Sequence, residues 1–234
     1  GEQLQYEGPA EEELVRYFGL DVPLNTILDE IDTDPLIHAA IERCLGLRII
    51  RQDPWECLVS YICATCANIP GITMRIENLS KSYGRRVEAD GSVFYTFPKA
   101  ERLAAEEICS VRACKVGYRD TYICTAAKTA AENPRWADEI RSLPYLSAKE
   151  RLMMLPGVGP KVADCVLLFA FEKYEAFPID VWIERILRTK YLGGAQKLSY
   201  NKAGTFARDH FGQYAGYAQE YLFGIREEIA GKGE

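Results

Sequence analysis

The chain has 234 residues, 48% of them hydrophobic, and a formal net charge of −6 at pH 7. That is enough apolar material for one large core or two closely packed ones, no run of about 18 apolar residues is present to span a bilayer, and the start Gly-Glu-Gln-Leu-Gln has no basic and apolar leader of the signal-peptide kind. The charge excludes a uniformly basic surface, yet residues 1–50 hold eleven acids against three bases, a balance of −8 that leaves +2 for the remaining 184 residues; a local positive face can still form, and local charge governs contact with a polyanion.

Nearly every segment carries helical periodicity. Short amphipathic helices are predicted at 11–18, 24–31 and 36–44. Asp53-Pro54 supplies an N-cap and a first-turn proline for a very apolar run, 55–67, predicted to be a buried central helix. Pro70-Gly71 should break it, with helix resuming over 72–82. Residues 84–98 place Ala89-Asp90-Gly91-Ser92 between β-leaning flanks and read as an ordered loop or small hairpin. Further helices are predicted at 100–107, 118–131, 136–143, 148–155, 160–171, 180–191, 201–211 and 214–229. The chain therefore reads as all-α, with Leu4-Gln5-Tyr6 as the end of a preceding β element.

The eight cysteines lie mostly in helix-like apolar runs and are expected to be reduced thiols. Cys63-x-x-Cys66 has the spacing of a redox or metal pair, but there is no second such pair and the only histidines are His38 and His210, so a structural reading is preferred.

The densest chemistry is in Leu155-Pro156-Gly157-Val158-Gly159-Pro160-Lys161, followed 19 residues later by Asp180 in Phe177-Pro178-Ile179-Asp180-Val181. Glycines on either side of a valine allow a sharp turn between helices and bring backbone N–H groups close to a phosphate, with a helix dipole behind them. An ordinary turn between helices, or a DNA-binding module without enzymatic activity, would satisfy the same pattern. Lys161 falls in the first turn of its helix, where a cation is disfavoured and an amine's pKa should fall. A neutral amine there can act as a nucleophile and form a Schiff base; a phosphate-contacting surface lysine is the simpler alternative. Cys165 shares that helix face, as a pocket wall or as core packing. Asp180, after Pro178, reads as an N-cap, and a carboxylate fixed that way can also stabilise positive charge on a sugar.

These residues carry a resemblance. Leu155–Cys165 (LPGVGPKVADC) with Ala176–Val181 (AFPIDV) resembles the 8-oxoguanine DNA glycosylase/AP lyase family of the endonuclease III superfamily, as do Arg51-Gln52-Asp53-Pro54-Trp55-Glu56-Cys57-Leu58, Gly117-Tyr118-Arg119 and Tyr214-Ala215-Gly216-Tyr217-Ala218-Gln219 with Phe223. The similarity runs from about residue 10 to 229. It implies a helix-hairpin-helix glycosylase fold of two packed helical subdomains, 52–157 and 11–51 plus 158–234, with the site in the cleft between them and residues 1–10 as a remnant of a β domain or a linker. It further implies Lys161 as nucleophile and Asp180 as stabiliser of the oxocarbenium-like transition state. Gln219 would bond the flipped base edge, with Phe223 and Cys165 on its two faces. Tyr118 would wedge into the stack, Arg119 would read the orphaned cytosine, and Gly157, Val158, Gly159 and Asn68 would contact DNA. Carbonyls of Met153, Leu155 and Val158 would hold a monovalent cation. The implied partner is double-stranded DNA containing 8-oxoguanine, met by a monomeric cytoplasmic protein that uses neither a membrane nor a catalytic cofactor.

The departures from the family pattern are informative. In Thr65-Cys66-Ala67-Asn68-Ile69 only Asn68 is kept from an asparagine run, Cys66 replaces a side chain that contacts the orphaned base, and Gly71 stands where animal members have an arginine reading that base. Cytosine opposite the lesion should be required less strictly, by about tenfold, since a polar base contact is worth roughly 1–3 kcal/mol. Trp182 replaces a histidine. The family's N-terminal β domain supplies a glycine carbonyl that senses the oxidised base; the chain starts where that domain would end, so it is a fragment or gains the contact elsewhere. No cysteine follows Cys165, which argues against the iron–sulfur cluster of sibling pyrimidine and adenine glycosylases, and Lys161 argues against siblings that rely on water. The alternatives are a glycosylase for other damaged bases and a non-catalytic DNA-binding module.

Overall fold

The computed structural model describes residues 5–8, 10–194 and 198–230. The first three helices, α1 (Glu11–Tyr17), α2 (Leu24–Ile31) and α3 (Pro35–Arg43), lead into α4 (Pro54–Ala64) and α5 (Ile69–Tyr83). A hairpin follows, β1 (Arg86–Ala89) and β2 (Ser92–Tyr95), paired antiparallel with Ala89 opposite Ser92. Asp90 and Gly91 both have positive φ, 49° and 71°, as a two-residue turn matched to strand twist requires. Then come α6 (Ala100–Ala104), α7 (Ile108–Val111), α8 (Arg119–Glu132), α9 (Trp136–Ser142), α10 (Tyr145–Met153) and α11 (Pro160–Phe171). The last are α12 (Val181–Ile186), α13 (Tyr200–Phe211), α14 (Ala215–Gly224) and α15 (Arg226–Ala230). The all-α expectation holds, with the predicted hairpin as its β exception. Among the described residues no helix is long and apolar enough to cross a membrane. Of the expected β end, Leu4 lies outside the described residues, as do the rest of 1–4 and Pro9, while Gln5 and Tyr6 form no strand.

Several boundaries differ from expectation for local reasons. The central helix stops at Ala64, and Cys66 turns the chain with φ of 50°. Pro70 does not break a helix. It sits in the first turn of α5, where its missing N–H costs nothing, and Asn68 caps that turn by accepting the Gly71 N–H at 3.0 Å. The stretch predicted at 100–107 ends at Ala104, and α7 continues into a wide turn, Arg112–Val116, in which Lys115 has φ of 62°. The final helix predicted over 214–229 is interrupted at Ile225 between α14 and α15.

One contiguous apolar cluster runs from Val22 to Ile225. Helix α11 is nearly all core: every residue from Val162 to Leu168 is buried. It packs chiefly on α4 and α10, so the expected subdomain line at 158 runs through a packed interface. Gly216 is required for the approach of α14, because a Cβ there would lie 2.4 Å from the Leu168 side chain and 2.6 Å from the Ala176 carbonyl. The Gly216 N–H also donates to the Tyr174 carbonyl at 2.7 Å. That contact draws the start of α14 against α11 and the loop leading to Asp180.

Candidate active site

Lys161 stands in the first turn of α11, after Gly159 as N-cap and Pro160 as first residue. The turn from α10 is closed by the Val158 N–H donating to the Leu155 carbonyl at 3.1 Å. Gly157 has φ of +82°, and a Cβ there would sit 2.3 Å from Cδ2 of Tyr122. The backbone is thus pressed onto the Tyr122 ring, which only glycine allows. Gly159 has open space beside its Cα, so its backbone is accessible from outside.

The Lys161 amine lies 5.0 Å from the centroid of the Tyr61 ring on α4, and Tyr61 in turn stacks on Phe169 at 5.9 Å. Cys165 is one turn along α11 and 3% exposed. Burial pushes its thiol up to about 12, against the pull of the neighbouring lysine. A buried thiol kept protonated in this way is a poor nucleophile.

Asp180 caps α12. Its Oδ1 accepts the N–H groups of Trp182 at 3.0 Å and Ile183 at 2.8 Å, while Oδ2 makes no hydrogen bond among the described residues. N-capping was the simple reading of this residue, and it fixes one carboxylate oxygen while leaving the other free. Gln219 on α14 is 4% exposed, and its Oε1 is buried without a hydrogen-bond partner among the described residues. An unpaired buried amide oxygen costs free energy, so its placement points to an absent donor. Phe223, a turn later, is half-buried, with the Arg226 guanidinium 4.1 Å from its ring centroid and donating to its carbonyl at 2.8 Å.

Three residues of this neighbourhood carry no local sequence signal. Tyr61 and Arg226 are two. The third is Glu220, partly buried and without an ion pair among the described residues. Burial raises its carboxyl to about 7, helped by the charge of Asp180 and opposed by Gln219, Lys161 and Arg226. The charges of Lys161 and Asp180 thus both act on this one carboxyl.

The remaining predicted residues lie at the starts of α5 and α8 and in the hairpin between α10 and α11. Tyr118 is 53% exposed and meets Tyr122 edge-on at 6.0 Å, so the expected wedge leans on the ring that supports Gly157. Arg119 is only 4% exposed. Its guanidinium lies 4.5 Å from the Tyr118 ring and donates to the carbonyls of Val116 and Thr65. In this structure it holds the Thr65–Asn68 turn and does not reach the surface. Asn68 is exposed but spends its carbonyl on capping α5. Of the carbonyls expected to hold a cation, those of Met153 and Val158 accept no backbone N–H outside regular helix, whereas that of Leu155 does. Two cavities, about 510 and 470 Å³, lie elsewhere, one beside Arg51 and Glu172 and one between Trp55 and Trp136. Neither is lined by Lys161 or Asp180, so the chemistry of the side chains, not the size of a cavity, marks the site.

Comparison with known proteins places the chain among relatives. Residues 2–58 match the family profile described as the N-terminal domain of 8-oxoguanine DNA glycosylase; from Glu11 onward the matched stretch here contains α1–α3 and the start of α4. A probable N-glycosylase/DNA lyase of Methanothermobacter thermautotrophicus is 32% identical, over 87% of this chain and 76% of its own length. An N-glycosylase/DNA lyase of Saccharomyces cerevisiae is also 32% identical, over 93% of this chain and 66% of its own. The Clostridium acetobutylicum 8-oxoguanine glycosylase/lyase, solved with double-stranded DNA containing cytosine opposite 8-oxoguanine, is 34% identical, with a TM-score of 0.88 over 94% of this chain and 77% of that one.

Proposed function

Because the chain belongs to the N-glycosylase/DNA lyase family of 8-oxoguanine DNA glycosylases, we propose that it removes 8-oxoguanine from double-stranded DNA and then cleaves the abasic strand. What supports the proposal is that the charges of Lys161, at a helix start, and of Asp180, a capped carboxylate, both act on the Glu220 carboxyl, next in the chain to the buried Gln219 amide.

A base to be excised must leave the stack at a cost of a few kcal/mol. The backbone N–H groups of Gly157 and Gly159 hold the phosphate, the Val158 N–H being used to close the turn, and the exposed Tyr118 ring fills the gap. Arg119 serves by fixing the Thr65–Asn68 turn beneath the orphaned base. The extruded purine lies between Cys165 and the free face of Phe223, and a donor on its edge supplies the missing partner of Gln219 Oε1. The Lys161 nitrogen uses its lone pair to bond C1′ as the bond from C1′ to the base breaks, and that bond's electron pair leaves with the base. Asp180 offsets the positive charge that develops on the sugar. The nitrogen then gives a proton to O4′ as the C1′–O4′ bond breaks with its electron pair leaving on O4′, and the nitrogen lone pair forms the C=N bond of a ring-opened iminium; this iminium acidifies the C2′ proton, whose loss expels the 3′ phosphate by β-elimination and cuts the strand.

No cofactor enters these steps. A monovalent cation held by the carbonyls of Met153, Leu155 and Val158 would add positive charge beside the phosphate, and the two carbonyls left without backbone donors suit that role. The protein would act as a monomer at chromosomal DNA in the cytoplasm, without an iron–sulfur cluster. The test is incubation with duplexes carrying 8-oxoguanine or guanine opposite cytosine. Strand cleavage 3′ to the lesion in the first duplex alone is expected; equal cleavage of both, or of neither, would overturn the substrate assignment.

A further inference from the structure

Beneath the lysine helix lies a buried polar knot that the proposed chemistry does not use. Asp164, three residues after Lys161 and 1% exposed, accepts three hydrogen bonds. Tyr145 donates to Oδ1 at 2.7 Å, and Lys149 and Tyr200 both donate to Oδ2 at 2.7 Å. Tyr145 and Lys149 belong to α10, which leads into the hairpin, whereas Tyr200 is the first residue of α13.

The two tyrosines are not equivalent. Among the described residues, the Tyr145 hydroxyl is approached from outside the carboxylate only by the side chains of Lys149 at 3.3 Å and Arg208 at 3.4 Å. The Tyr200 hydroxyl gives its one proton to Asp164 and accepts the backbone N–H of Ile179 at 3.2 Å. Ile179 is 8% exposed and immediately precedes Asp180. One phenolic oxygen therefore joins the helix that carries Lys161 to the loop that carries Asp180. The rest of that loop is already set: Phe177 is fully buried and stacks on Phe211 at 6.1 Å, and Asp180 is fixed forward by its cap on α12. The Tyr200 contact is the polar tie holding the loop's backbone to α11 just before Asp180.

We propose that Tyr200 is a positioning residue for the reaction, its hydroxyl setting the separation of the Lys161 amine from the Asp180 carboxylate. The inference rests on the roles given above to those two residues. Small displacements of reacting groups cost rate steeply when the geometry is otherwise organised, while binding of DNA through the hairpin and Tyr118 needs no such precision.

Tyr200→Phe and Tyr145→Phe form a matched pair. Each removes one phenol donor from the same buried carboxylate, and only the first also leaves the Ile179 N–H unpaired. Three quantities would be measured on each variant: the single-turnover rate of base excision from an 8-oxoguanine:cytosine duplex, the Kd for a duplex containing a tetrahydrofuran abasic analogue, and amide hydrogen exchange across residues 177–183. For Tyr200→Phe the expected result is a 10- to 100-fold lower rate, a Kd within twofold of the parent, and faster exchange across 177–183. For Tyr145→Phe the rate should stay within threefold and exchange in that segment should not change. Equal effects of the two substitutions on rate, or an equal fall in rate and affinity for Tyr200→Phe, would overturn the proposal. The exchange comparison needs no substrate: equal exchange in the two variants overturns it even if the parent excises nothing, whereas an inactive parent by itself refutes only the assigned reaction.

Discussion

Replacing Glu220 with glutamine should make the protein's stability less dependent on pH, with a definite sign. In the folded protein the carboxyl is raised to about 7 from 4.5, first by burial and then by the charge of Asp180. A carboxyl whose folded pKa is raised binds its proton more tightly in the native state. Its favourable contribution is therefore complete below about 4.5 and is lost as pH rises through about 7. At about 1.4 kcal/mol per unit, this difference sets a ceiling on the order of 3 kcal/mol; because Glu220 is only partly buried, about 1–3 kcal/mol is the working expectation. Glutamine keeps the shape and cannot ionise. Urea denaturation of both proteins at pH 5, 6, 7 and 8 should show the variant gaining on the parent as pH rises, with most of the gain complete by pH 8. A stability difference that stays constant within about 0.5 kcal/mol from pH 5 to 8, well below that expectation, would refute the reasoning and mean that Glu220 is ionised in the fold at no cost.

Gly157→Ala places a methyl 2.3 Å from the Tyr122 ring at a φ of +82°. Left-handed backbone and overpacking together should cost about 2–4 kcal/mol, read by thermal or urea unfolding, along with weaker binding of undamaged duplex by fluorescence anisotropy; unchanged values in both would refute the packed-hairpin account. With Cys66 exposed in a turn and Gly71 offering no side chain, the preference for cytosine over adenine, guanine or thymine opposite the lesion should be about tenfold weaker than that of a member with an arginine at the Gly71 position, as roughly 1–3 kcal/mol per lost base contact implies. Cleavage of the four duplexes side by side with such a member measures it, and an equally strict cytosine preference would contradict it.

Much of the site was legible because its signals are local. The glycines at 157 and 159, the first-turn proline before Lys161, the caps at Asp53 and Asp180 and the two-residue turn at Asp90-Gly91 are each specified by residues within a few positions of one another. The turn at Cys66 was missed because Pro70 reads as a helix breaker unless the Asn68 cap is seen to place it in a first turn. What stayed hidden depends on contacts distant in sequence. Tyr61 reaches Lys161 across 100 positions, Tyr200 reaches Asp164 across 36, and Glu220 acquires its environment only when Gly216 lets α14 pack against α11. The sequence places Arg119 only near the start of the helix predicted at 118–131, and the carbonyls of Thr65 and Val116 converging on it explain its burial.

The central claim is that Lys161 forms a covalent link to the sugar from which 8-oxoguanine is expelled. Borohydride reduction during incubation with an 8-oxoguanine:cytosine duplex tests it most directly, with a Lys161→Gln control. A protein–DNA adduct of one-to-one mass, mapped to Lys161 and absent from the control, is the predicted result. An adduct that persists in the control would place the nucleophile on another amine, and no adduct with the parent protein while the base is still released would make this chain a glycosylase that uses water.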